Sequence, residues 1–145
     1  MLGARIELTE MLKEFKNPAA LIGLAVAFVG SAIAAQLMYL FSGPVNPSWQ
    51  AALIAESSAF FVLAIVLVAG SASITQIVAL WVAGLLGIAD GVIARAMIDF
   101  FMQHGDHNLL PVEVIAATAF AFPGALAGTL LGGGVILLRR KIRFS

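Results

Sequence analysis

A long apolar run over residues 74–102 constrains this chain more than any other feature of its sequence. Its first half contains no charged residue, and its second half contains Asp90, Arg95 and Asp99. An apolar stretch of this length is typical of a helix that spans a bilayer. Charged groups in such a span are costly unless they face protein, water or one another. The run therefore predicts a packed membrane helix with polar groups on its inner side.

The spacing of the polar residues separates an ion pair from a single acid. Arg95 and Asp99 are four residues apart, so they lie one turn apart on the same helical face and are predicted to pair. Asp90 has no such partner on its own helix. Gly87 and Gly91 are also four residues apart, and we expect them to let a second helix approach closely.

The composition of the whole chain agrees with a lipid environment. Of 145 residues, 61% are hydrophobic and only 11% are charged, and the mean hydropathy is +1.04. A soluble domain of this size cannot bury so much apolar surface. The length fits a single domain over residues 1–145. The chain has no cysteine, which excludes disulfides and thiolate metal sites.

Three further apolar runs complete a set of four predicted spans. They cover residues 18–41, 49–69 and 109–138, beside 74–102. In residues 1–17 apolar positions recur at roughly helical spacing with charges between them, which predicts a short amphipathic helix on the membrane surface. We therefore predict an all-α, polytopic membrane protein with four transmembrane helices and an N-terminal interfacial helix.

The placement of the basic residues predicts the orientation in the membrane. Five of the eight flank the outermost spans, at Lys16, Arg139, Arg140, Lys141 and Arg143. By the positive-inside rule both termini are cytoplasmic, which requires an even number of crossings. We expect a multi-pass protein of the plasma membrane.

Small residues at four-residue spacing predict close helix packing. In lipid there is no hydrophobic drive between helices, so close backbone approach holds them together. One four-helix bundle is not expected to bury every stripe, which predicts assembly with further copies or with other membrane subunits. The predicted packing residues are Gly23, Ala27 and Ser31 in the first span, Gly87 and Gly91 in the third, and Gly124, Gly128 and Gly132 in the fourth.

A weak internal similarity relates the two halves of the chain. Residues 33–38 resemble residues 93–98, and residues 58–60 resemble residues 118–120. Either apolar helices match here by chance, or the chain contains a duplication. A duplication would predict two hairpins of the same orientation, related by an axis along the membrane normal.

The candidate functional residues are polar groups within the predicted spans, namely Gln36, Glu56, Asp90 and Arg95. Acidic groups at similar depth can form a cation entry or a proton-responsive site, because neighbouring carboxylates retain some protons at neutral pH. For Glu56 and Asp90 the alternative is a structural hydrogen bond between helices. Asp99 and Glu113 are expected to lie in the headgroup layer.

Other chemistry has little support in the sequence. His104, Asp106 and His107 are three potential metal ligands in a short loop, but no helix fixes their geometry, so we expect no metal site. The sequence contains no nucleophile–base pair, glycine-rich nucleotide loop or basic nucleic-acid patch. We therefore expect neither an enzyme nor a nucleic-acid partner, and no cofactor.

Short motifs in the first seventy residues are shared with a known channel family. Residues 11–16 read Met-Leu-Lys-Glu-Phe-Lys, residues 24–27 read Leu-Ala-Val-Ala, and residues 60–64 form a Phe-rich apolar run. In these motifs the chain resembles the large-conductance mechanosensitive channel family. The resemblance implies a surface amphipathic helix followed by a glycine- and alanine-rich, pore-lining first span. The last two spans have no counterpart in that family.

Two classes of function follow from these observations, and the sequence leaves both open. One is a channel or transporter subunit that passes a small ion or solute between its helices as an oligomer, with Glu56 and Asp90 on the path. The other is a non-catalytic subunit whose glycine stripes dock it onto larger membrane proteins.

Overall fold

The structure is a computed structural model that describes residues 17–43, 48–71, 73–103 and 109–143. Within these ranges the chain forms helices and no strand, and each helix is long and apolar enough to cross a membrane. The four predicted spans are confirmed, although the last helix continues through the basic residues at its end. The predicted surface helix at the N-terminus lies outside the described residues. The helices are α1 (Pro18–Ser42), α2 (Trp49–Ala69), α3 (Ile74–Gln103) and α4 (Leu110–Arg143).

The first two helices begin at polar caps. The Asn17 side chain accepts a hydrogen bond from the Ala19 amide at 3.1 Å, and Pro18 occupies the first turn, where its missing N–H costs nothing. The Ser48 hydroxyl accepts from the Ala51 amide at 3.3 Å. These caps satisfy amides that no helical carbonyl can reach.

The bundle pairs helices that run in the same direction. α1 packs mainly against α3, α2 packs mainly against α4, and α1 also contacts α2, whereas α1 and α4 touch little. The helices therefore follow one another around the bundle in the order α1, α2, α4, α3. A two-fold axis along the membrane normal would place α1 opposite α3, not beside it. The axis predicted from the internal similarity is thus not observed, and the two hairpins lie side by side.

Two glycines bring α3 onto the backbone of α1. A methyl group added at Gly91 would lie 2.5 Å from the carbonyl oxygen of Ala32. One added at Gly87 would collide with the carbonyl of Phe28 and would lie 3.0 Å from the Cβ atom of Ser31. No larger residue fits at these two positions unless the helices separate.

The glycine stripe of α4 contacts α2 in the same way. A methyl group at Gly124 would collide with the carbonyl oxygen of Ser57, and one at Gly128 would collide with that of Phe61. Gly132 continues the contact one turn further along. The two helices therefore keep one register over two turns.

One copy of the chain thus buries most of the predicted packing residues. Ala27 and Ser31 are buried in the bundle, together with the glycines of α3 and α4. Gly23 is different, because a methyl group there would meet only the Leu80 side chain at 3.8 Å. The expectation that one four-helix bundle cannot bury these small-residue stripes is therefore wrong. The stripes give no support to assembly with further copies or other subunits.

The main apolar core receives residues from all four helices. The core residues are Ala34, Ala35, Met38, Phe60, Ile88, Val92, Ala117 and Ala121.

A side chain of α4 bonds to the end of α2. The Arg139 guanidinium donates a hydrogen bond to the Ala69 carbonyl at 3.3 Å. This bond connects α4 to the end of α2, where the last helical carbonyls have no amide partner.

Candidate functional site

Glu56 is an acid in the core of the bundle. Its relative exposure is 0%, and neither carboxyl oxygen has a hydrogen-bond partner among the described residues. It lies about two turns into α2 from Trp49. Burying a charged carboxylate without a partner costs several kcal/mol of folding free energy. We therefore expect the Glu56 carboxyl to be neutralised by a proton or a bound cation.

The inward orientation of Glu56 follows from the packing of α2. Ala52, Glu56 and Phe60 are spaced by four residues, and all three are buried. They share the face of α2 that the other helices cover. On this face the small Ala52 lies one turn before Glu56, and the aromatic Phe60 lies one turn after it.

A cavity of about 70 Å³ begins at Phe60, one turn from Glu56, and is lined by residues from all four helices. The lining residues with a polar group in the side chain are Ser31, Trp81, Thr118 and Thr129. The two threonine hydroxyls donate to carbonyls of their own helix at 2.8 Å. Because the remaining lining is apolar, the cavity favours apolar contents unless a polar group enters it.

Aromatic side chains border the cavity where α3 and α4 meet. The Trp81 indole N–H donates to the Thr129 hydroxyl at 3.2 Å, and its ring meets that of Phe122 edge-on at 6.1 Å between centroids. Leu85 and Phe122 line the cavity and are also exposed on the bundle surface. The cavity thus approaches the outside of the bundle between these two helices.

A second polar cluster lies at the end of the bundle that the sequence predicts to face outward, and we call it the outer cluster. The Tyr39 hydroxyl donates to Glu113 Oε2 at 2.7 Å, and Arg95 Nε donates to Asp99 Oδ2 at 3.0 Å. The Arg95 guanidinium carbon lies 5.9 Å from the centroid of the Tyr39 ring. The predicted pair of Arg95 and Asp99 is confirmed. The contact between Tyr39 and Glu113 joins distant parts of the chain, and no sequence spacing indicates it.

Gln36 forms a hydrogen bond between helices. Its side-chain amide donates to the Gly91 carbonyl at 2.8 Å and to the Ala32 carbonyl of its own helix at 3.3 Å. The bond lies where α1 and α3 are closest, because Gly91 packs on Ala32. Gln36 therefore stabilises the contact between these two helices.

The Asp90 side chain is on the outside of the bundle, not between its helices. It is exposed, and it makes no hydrogen bond or ion pair with any residue that the structure describes. It lies within one turn of the middle of α3, and the adjacent Gly91 contacts Ala32 near the middle of α1. The expectation that this carboxyl faces the interior is therefore wrong for a single copy. Glu56 and Asp90 are not brought together.

The loop with His104, Asp106 and His107 lies outside the described residues. Across residues 17–43, 48–71, 73–103 and 109–143, no group of three His, Cys, Asp or Glu side chains is placed to hold a metal ion.

No family model matches the chain, and no curated protein or solved structure matches it. The resemblance to the large-conductance mechanosensitive channel family therefore rests on the motifs of the first seventy residues.

Proposed function

We propose that the protein is a channel or transporter subunit of the plasma membrane, with both termini cytoplasmic, that passes a small ion or solute as part of an oligomer. The observation that supports this function is Glu56, a fully buried acid whose carboxyl oxygens have no partner among the described residues. An acid with only a structural role is normally hydrogen-bonded to a neighbouring helix. Glu56 has no such bond, so its carboxyl group is available to take up and release a cation or a proton.

The chemistry of this site favours a proton or a monovalent cation. One carboxyl group cannot supply the six or more oxygen ligands that Ca²⁺ requires, nor the octahedral shell of Mg²⁺. Among the described residues, no group of three His, Cys, Asp or Glu side chains is placed to hold a metal ion. A single exchangeable charge is the simplest cargo for a single acid.

The arrangement of the bundle suggests a route for this ion. It enters beside the outer polar cluster of Tyr39, Arg95, Asp99 and Glu113 and reaches Glu56. Phe60, one turn further along α2, lines the cavity and Glu56 does not, so we expect the ion to pass Phe60 on its way inward. The sequence resemblance to a channel family, whose first span lines a pore, gives further support to this class of function.

The test is ion flux into liposomes that contain the purified protein. A potassium gradient with valinomycin sets the membrane potential, a trapped pH-sensitive dye reports proton entry, and sodium and potassium fluxes are followed separately. We expect the wild type to conduct at least one of these ions faster than protein-free vesicles. Glu56→Gln is expected to reduce that flux to the level of protein-free vesicles, because the amide cannot exchange a charge.

Asp90→Asn is the matched control for this experiment. It makes the same change from acid to amide, and Asp90 is exposed on the outside of the bundle, away from the proposed route, so the flux is expected to remain that of the wild type. Undiminished flux through correctly assembled Glu56→Gln would remove Glu56 from the path.

The alternative function is that of a non-catalytic subunit of a larger membrane complex. Its support is the Asp90 carboxyl on the outer surface of α3, near the middle of the helix, since such a group is costly in lipid and favours a protein neighbour. This function predicts that the wild type passes no proton, sodium or potassium and purifies as one copy together with other chains.

A further inference from the structure

The cavity that begins at Phe60 is long and narrow. Its lining extends along α2 from Phe60 to Val68 and along α3 from Leu80 to Ile88. Each of these helical segments is about 12 Å long, at a rise of about 1.5 Å per residue. A volume of about 70 Å³ spread over this length suits an extended chain better than a compact ligand.

The polar groups in the lining leave little for water to bind. The Trp81 indole N–H donates to the Thr129 hydroxyl, and the hydroxyls of Thr118 and Thr129 donate to carbonyls of their own helix. A buried water normally makes about three hydrogen bonds, whereas apolar cavities stay dry and take up apolar molecules. The lining therefore favours a hydrocarbon occupant over water.

The opening of the cavity faces the side of the bundle. Among helices that are neighbours in the bundle, α3 and α4 pack least closely. Leu85 on α3 and Phe122 on α4 both line the cavity, and they are 45% and 52% exposed. Both residues lie well inside membrane-spanning helices, so in a membrane the opening meets the hydrocarbon of the bilayer.

We propose that an acyl chain of a bilayer lipid enters between α3 and α4 and occupies this cavity. The narrow shape, the apolar lining and the lateral opening all fit this occupant. Binding of the chain does not depend on the proposed ion path. If ions do pass Phe60, a chain in the cavity blocks their way inward, and this consequence alone rests on the proposed function.

Tryptophan fluorescence in vesicles tests the occupant. The chain has two tryptophans, so Trp49→Phe leaves only Trp81, which lines the cavity. This variant is reconstituted in dioleoyl phosphatidylcholine and in the same lipid with bromine atoms on its chains, which quench tryptophan on contact. We expect strong quenching of Trp81 by the brominated chains and little quenching by aqueous iodide.

Two leucine substitutions on α4 separate a chain in the cavity from lipid on the bundle surface. Ala125 lines the cavity, so Ala125→Leu fills part of it and is expected to remove most of the quenching by brominated chains. Ala127 is exposed and does not line the cavity, so Ala127→Leu is expected to leave the quenching unchanged.

Gly84→Ala is a milder substitution in the same lining, and it decides the question if Ala125→Leu does not fold. A methyl group added at Gly84 meets only the Ser31 hydroxyl oxygen of the neighbouring helix, at 3.3 Å. It narrows the cavity and is expected to remove part of the quenching.

Three outcomes would overturn the proposal. Equal quenching in the folded cavity variants and in Ala127→Leu would mean that Trp81 contacts lipid only at the surface. Absence of quenching by brominated chains would mean that no chain reaches the cavity, and strong quenching by iodide would mean that water fills it. None of these readouts measures ion flux, so a failure here is distinct from a failure of the proposed function.

Discussion

At the scale of single residues, two acids of similar sequence context occupy opposite environments. Glu56 is buried in the core and Asp90 is exposed on the surface. The sequence places both in apolar spans, and so identifies both as unusual. It cannot say which faces inward, because α2 and α3 are apolar on all sides and their rotation is set by the glycine contacts with the neighbouring helices.

The outer cluster offers a test of a single hydrogen bond. Tyr39→Phe removes only the hydroxyl that donates to Glu113 at 2.7 Å. We expect a loss of about 0.5–1.5 kcal/mol in the free energy of unfolding, since a partly buried acceptor loses its donor. Unfolding by SDS in mixed micelles, followed by circular dichroism, measures this change.

A double-mutant cycle is the control for the Tyr39 experiment. In a Glu113→Ala background the bond is already absent, so Tyr39→Phe should cost close to nothing there. The same loss in both backgrounds would show that the hydroxyl stabilises the protein through some other contact.

At the scale of helices, the sequence predicts well where most spans begin and end. It does not predict which helices pack against each other. Caps at Asn17 and Ser48 and a change from apolar to polar composition mark the ends. Which helix each glycine stripe contacts depends on pairing between distant segments. No local sequence pattern indicates that α1 pairs with α3 and α2 with α4. These pairs are seen only in the structure.

The stripe of α4 provides a matched pair of substitutions. Gly128→Leu adds a side chain where even a methyl group would collide with the Phe61 carbonyl. We expect it to separate α2 from α4 and to lower the free energy of unfolding by about 1–3 kcal/mol or more. Thermal unfolding of the purified protein in detergent measures this effect.

Gly133→Leu is the control, because a methyl group added at Gly133 has no neighbour within 4 Å. Its effect should lie within about 1 kcal/mol of zero, and leucine's higher helix propensity should favour stabilisation. Equal destabilisation by both variants would mean that glycine itself, not the helix contact, is what matters at these positions.

At the scale of the whole molecule, one copy is a four-helix bundle with a polar cluster near one end, a buried acid and a small cavity. The glycine stripes of α3 and α4 already contact helices of the same chain, so any assembly has to use other surfaces. The predicted fold class is confirmed by the four helices. The side-by-side arrangement of the two hairpins is not predicted by the sequence. The internal similarity suggests instead two hairpins related by an axis along the membrane normal.

The central claim is that Glu56 lies on a path reached from water, although it is fully buried in the structure. The most direct measurement is the reaction of Glu56→Cys in liposomes with a small, cationic, membrane-impermeant thiol reagent. Val92→Cys is the control, since Val92 is equally buried in the same core at 0% exposure. We expect the cysteine at position 56 to react in the native protein and the one at position 92 to react only after unfolding. Equal protection of both cysteines until unfolding would contradict the claim and leave Glu56 as a sealed part of the core.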